Sequence, residues 1–204
     1  MLRLSTFSVL FFPFTPPGQF SPTQEAVRII QSEPVTHNNA RFVIVTQADW
    51  KTGKPPWKLV KPLRGVPIEI QLHITNLGRG NMIFSTSSTF GLRMARSDGT
   101  RIKPTGGADH ILETKPLSIP PGSTFAICRR AELIWDAKNE EKRLVYWDGT
   151  GSEESFGPLT PGRYKISFYY VNSPPRKNNI EKKLPGVWYG EVSTREVAIE
   201  VLHQ

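Results

Sequence analysis

Residues 159–170 read LTPGRYKISFYY, a Pro-Gly turn running directly into an alternating aromatic stretch. Pro161 restricts its own φ and Gly162 accepts backbone angles closed to other residues, so the pair is predicted to end one strand and begin the next. Beyond the turn, Tyr164, Ile166, Phe168 and Tyr170 share one side of an extended chain, with Lys165 and Tyr169 on the other. A period of two with apolar and aromatic residues on one side means one face in a core and one in water. Tyr164, two residues past the turn and on the core side, reads as a residue that holds the fold.

The same period recurs in VPIEIQLHITN (66–76), where Ile68, Ile70, Leu72 and Ile74 face one way and Glu69, Gln71 and His73 the other. His73 is thereby a solvent-facing side chain. Val197, Ile199 and Val201 repeat the pattern in STREVAIEVL (193–202). RFVIVTQ (41–47), MIFSTSS (82–88), FGLRMAR (90–96), IPPGSTFAICRRAELIWD (119–136) and KRLVYWDGTG (142–151) supply further strands. Asp-Gly in SDGT (97–100) signals a tight hairpin, and NLGRGN (76–81) is a turn suited to positive φ. GTGSEESFG (149–157) is read as a loop; it lacks the spacing and the lysine of a phosphate-binding loop.

No segment carries apolar residues at i, i+3, i+4 and i+7, and the 16 glycines and 18 prolines suit many short strands better than long helices. The expected fold is all-β, with about seven to nine strands in a two-sheet antiparallel sandwich joined by Greek-key links. Residues 39–204 are expected to form this one domain, and 1–38 a leader or linker. Within MLRLSTFSVLFFPFTPPGQF (1–20) the apolar run from Phe7 to Phe14 resembles a short signal-peptide core, but Pro13 breaks it and no small-residue cleavage site follows. A degenerate export signal, a misassigned start and a Pro-rich arm packed on the domain all fit, leaving secretion to the cell envelope and a cytoplasmic location both open. The run is far too short to span a bilayer.

The chain carries a net charge of +8 with a pI near 9.7. Lys and Arg are scattered and acids interrupt most clusters, so the charge speaks first to solubility and non-specific attraction. Cys128 is the single cysteine, which excludes an internal disulfide and a paired-cysteine metal clamp. It lies in an apolar alternating run, as an inert buried thiol would. Asp109 and His110 are adjacent, and neighbours on an extended chain point to opposite faces, which argues against an acid–base dyad. Paired carboxylates in SEES and NEEK sit in polar loops, and no nucleophile or metal signature accompanies them. No catalytic residue, metal ligand or cofactor is expected, and the chain is read as a non-enzyme.

At Leu159, Pro161, Gly162 and Tyr164 the sequence L-x-P-G-x-Y resembles the tyrosine corner of immunoglobulin-like and fibronectin-like sandwiches, in which the Tyr hydroxyl bonds to backbone upstream. The order of IEIQLHITNLG, RSDGTRI, LSIPPGST and LTPGRY resembles bacterial immunoglobulin-like domains of the intracellular proteinase inhibitor type, the BsuPI-like family. GVWYGEVSTREVAIEV is similar to the last strands of uncharacterised exported domains of that architecture. The resemblance covers residues 66 to 202 and implies an immunoglobulin-like fold. A basic insertion at 172–186 and a Trp-bearing N-terminal loop depart from the inhibitor pattern, and no inhibitory residues are carried over from it.

Function is therefore expected in loops. Trp50 and Trp57 in DWKTGKPPWKLVKP, and Arg176, Lys177, Lys182, Lys183, Trp188 and Tyr189 in SPPRKNNIEKKLPGVWYGEV, put aromatics beside cations that can stack on and pair with a protein or an anionic polymer. Burial in the core is the alternative for each Trp. The expectation is a non-catalytic binding or structural module. The alternative is a proteinase inhibitor presenting Arg176 or Lys177 on an exposed loop. A nucleic-acid role would rest on Lys165 and Tyr169 alone.

Overall fold

The computed structural model describes residues 27–51, 65–85, 90–106, 116–129, 131–136, 141–147, 153–173 and 185–202. Among them all regular structure is β, as the alternating patterns require. The first strands are β1 (Ile29–Gln31), β2 (Val35–His37), β3 (Ala40–Gln47), β4 (Asp49–Trp50), β5 (Val66–Pro67) and β6 (Ile70–Asn76). The middle of the chain forms β7 (Met82–Phe84), β8 (Phe90–Arg96), β9 (Arg101–Ile102), β10 (Leu117–Ile119), β11 (Thr124–Arg129) and β12 (Ala131–Asp136). The last part forms β13 (Glu141–Trp147), β14 (Glu153–Leu159), β15 (Gly162–Asn172), β16 (Gly190–Ser193) and β17 (Val197–Val201).

One sheet runs β1-β3-β6-β11, with β2 also on β3. The facing sheet runs β4-β17-β15-β8-β9, with β16 on β15. β3, β6 and β11 thus oppose β17, β15 and β8, the strand order of an immunoglobulin-like sandwich with Greek-key crossings. Among the described strands all pairings are antiparallel except β4 on β17, which is parallel. That exception arises because the chain switches sheets at Ala48. Its buried backbone donates to the Arg28 carbonyl and accepts from the Glu200 amide, both at 2.8 Å.

The described residues form seventeen strands, more than the seven to nine expected, chiefly because of added elements. Between β11 and β15 the chain inserts β12, β13 and β14, which join β5 in a further sheet ordered β14-β13-β12-β5. β5 and β12 prolong the β6–β11 ribbon, and the Ile68 amide bridges the step by donating to the Ala131 carbonyl at 2.9 Å. β14 corrects the loop expected at 149–157: Glu153–Leu159 is an edge strand, where Gly157 and Pro158 are tolerated. β1 and β2 lie upstream of the boundary expected at 38/39, so the sheet starts inside the segment read as linker.

The core forms where the sheets meet. Phe42, Ile44, Leu72 and Ile74 on one side oppose Leu92, Ile166, Phe168 and Ile199 on the other, all at most 3% exposed. Each such side chain contributes about 1.5–3 kcal/mol of burial. One end is closed by aromatics: Trp188 stacks on Phe84 with centroids 5.6 Å apart and meets Phe42, Tyr170 and His37 at 5.2–5.7 Å. Nearby, the turn after β6 lacks the positive φ expected for NLGRGN. Asn76 closes it instead, accepting from the Gly78 amide and donating to the Gly80 and Ile119 carbonyls, each at 2.8 Å.

Candidate functional site

Burial corrects two of the predicted contact residues. Trp50 is fully buried, because the parallel pairing of β4 with β17 carries it inward, where its indole donates to the Gln47 carbonyl at 3.1 Å. Trp188 is 3% exposed, with its indole donating to the His37 carbonyl at 3.3 Å. Tyr189 is half-buried and its carbonyl accepts from Asn38. Trp57, Arg176, Lys177, Lys182 and Lys183 lie outside the described residues, as do Asp109, His110 and the side chain of Cys128. At the turn, Leu159 and Tyr164 are buried and Pro161 is exposed; Gly162 opens β15 at φ +148°, where a side chain would be strained.

The outer face of the second sheet brings together residues that the sequence leaves apart. On β15 the outward positions are Arg163, Lys165, Ser167 and Tyr169, alternating with the buried Tyr164, Ile166, Phe168 and Tyr170. Register sets Tyr169 opposite Gly91, Ser167 opposite Arg93 and Lys165 opposite Ala95. Arg101 on β9 sits beside Ala95, and exposed Lys103 follows the end of β9. The β8–β9 turn that aims these cations is held by Asp98, whose carboxylate accepts from the Thr100 amide at 2.8 Å. That bond lowers the Asp98 pKa and keeps the group ionised.

Tyr169 crosses β8 over Gly91. A Cβ at position 91 would lie 2.1 Å from two carbons of the ring, so only glycine leaves room for it. The Arg93 guanidinium stands over the same ring, 4.5 Å from its centroid, and donates to Ser193 Oγ at 3.1 Å. The guanidinium is thus fixed on a π surface and by a hydroxyl, without a carboxylate.

Charge on this face is mixed. Arg101 lies on β9 and exposed Lys103 just beyond it, while the Arg93 guanidinium reaches past Tyr169 to Ser193 on β16. Glu191, Glu196 and Glu200 occupy the β16–β17 side, where Glu196 meets Lys165 at 3.3 Å and Glu200 is opposite Arg163. Elsewhere a 360 Å³ groove at the sheet switch is lined by Val27, Arg28, Gln47, Asp49, Lys51 and Val66, with Arg28 and Asp49 joined at 3.2 Å. Among the described residues no group of three or more His, Cys, Asp or Glu is placed to hold a metal, and no helix is long and apolar enough to cross a membrane.

No protein-family model and no curated protein matches the chain. Among solved structures it is similar to FetP of uropathogenic Escherichia coli strain F11, in the as-isolated form, at 12% identity. The match covers 85% of this chain and 94% of that one with a TM-score of 0.30, too low to inform the site.

Proposed function

We propose that the chain is a non-catalytic, immunoglobulin-like binding module that recognises an anionic partner through the outer face of β8, β9 and β15. One observation carries this reading: Arg93 on β8 and Arg101 on β9 share the outer sheet face, exposed Lys103 follows β9, and none of the three has a carboxylate partner among the described residues. Three uncompensated cations on a rigid sheet attract an anion at little conformational cost, since the scaffold is ordered beforehand. In this reading Tyr164 is the tyrosine corner that fastens the turn into β15. The inhibitor alternative depends on Arg176 and Lys177, and no described residue adds support to it.

Binding to immobilised polyanions and to matched neutral polymers, measured across a salt series, tests the proposal. The expected result is retention by polyanions that weakens steeply with salt, and none by neutral polymers. Equal retention by both, or by neither, overturns it.

A further inference from the structure

We infer that a second copy of this chain docks on the outer face of the first sheet, with Arg41 of each copy set against Glu69 of the other. This face is built around β6, whose outward side chains form a hydrogen-bonded row. Glu69, just ahead of the strand, accepts from Gln71, and Gln71 Oε1 lies 2.8 Å from His73 Nε2. Further along, Thr75 Oγ1 lies 2.8 Å from Thr124 Oγ1 and accepts from Arg41 at 3.4 Å. Register places Val43 and Ala126 on either side of His73, and Val45 beside Gln71. Among the outward side chains described on β3, β6 and β11, Arg41 carries the one formal charge, and Glu69 stands at the other end of the row. Depletion of charge around half-buried apolar side chains is the composition of an interface core.

The row is complementary to an inverted copy of itself. Gln, Thr and neutral His each offer both a donor and an acceptor, so like residues can pair with like. A highly charged partner would find nothing to pair with along the middle of the row. The charges fix the orientation: Arg41 lies opposite Thr75, six residues from Glu69, or about 20 Å along the strand. A two-fold axis lying between the faces and crossing β6 at Leu72 reverses the strand direction. It sets the Arg41 guanidinium over Glu69, Val43 over Val45 and His73 over Gln71 of the other copy. An axis running along the strands would instead stack Arg41 on Arg41. Four strands make a small contact, so association is expected to be weak and concentration-dependent. A copy seated here leaves the outer face of β8, β9 and β15 open on the far side of the sandwich.

Sedimentation equilibrium of the full chain across a concentration series tests this. The mass is expected to rise from 23.0 kDa towards twice that value as concentration increases. Arg41→Glu and Glu69→Arg each bring like charges together, and each is expected to weaken association roughly tenfold. Both side chains are exposed, so neither variant should lower the melting temperature. Combining the two exchanges the ends of the row and should restore association. Arg101→Gln, on the opposite sheet, should leave it unchanged. A monomer at every concentration would overturn the second copy as occupant and leave the anionic-partner reading standing. Association that survives Arg41→Glu, or that the double exchange fails to restore, would overturn this face and its two-fold register. Association lost in Arg101→Gln would overturn it too, by moving the contact to the other sheet.

Discussion

The Tyr164 hydroxyl donates to the Thr160 carbonyl oxygen at 2.7 Å, closing the turn at Pro161 and Gly162 from the core side. The ring is 3% exposed, so the donor side of the bond is buried, although Thr160 itself is exposed. Tyr164→Phe keeps the ring and removes the donor, and is expected to cost about 1 kcal/mol. Urea unfolding should show a lower midpoint with an unchanged slope. A midpoint equal to the native one would show that the hydrogen bond contributes nothing to the turn.

Asn76 is fully buried and serves three backbone groups from two loops. Asn76→Asp keeps the size and the acceptor for Gly78 but replaces the two amide donors with a carboxylate oxygen. The Gly80 and Ile119 carbonyls then lose their partner, and a buried charge is added. The expected cost is about 3 kcal/mol or more, from unsatisfied polar groups and desolvation together. Asn76→Ala should cost less than Asn76→Asp, since it adds no charge. The reverse order in chemical denaturation would contradict the role assigned to the side chain.

β6 and β15 were legible because a strict period of two runs through Ile68–Ile74 and Tyr164–Tyr170, and burial follows that period. β14 was not, because Glu153, Glu154, Gly157 and Pro158 are poor strand formers and only its place at a sheet edge admits them. The burial of Trp50 and Trp188 had no local signal either. Trp50 is drawn in by β17, and Trp188 by β7 and His37, all distant in the chain. The Gly91–Tyr169–Arg93 arrangement depends on cross-strand register. Tyr169 on an outward position was readable, but nothing in the sequence says that glycine faces it.

Gly91→Ala tests that arrangement separately from charge. The new methyl group would collide with the Tyr169 ring, which lies on the surface and can swing away. The fold should survive with a loss of about 1 kcal/mol, reflecting the packing of one half-exposed ring. Tyr169 fluorescence in a variant lacking other exposed tyrosines, or the ring's NMR shifts, should move towards solvent values. Arg93 would lose its π partner, so affinity for polyanions should fall although no charge has changed. An unshifted Tyr169 would show that the ring does not lie over position 91.

Lys142 provides a pH test of the core. It lies at the β13–β14 irregularity opposite Leu159, is 4% exposed, and donates to the Leu202 carbonyl. Burial disfavours its charged form and holds its pKa below the ordinary 10.5. Between that lowered value and 10.5 the unfolded chain binds more protons at this residue than the folded one, so its contribution to stability rises with pH. Below the folded pKa both states are protonated, and the fold carries the full cost of the buried charge. Lys142→Met removes the titration while retaining an unbranched side chain. The stability of Lys142→Met relative to the native protein should therefore be greatest near neutral pH and decline as pH approaches 10.5. Urea unfolding of both proteins at several pH values between 7 and 10.5 measures this difference. Parallel stability curves would mean that the lysine is as well solvated in the fold as out of it.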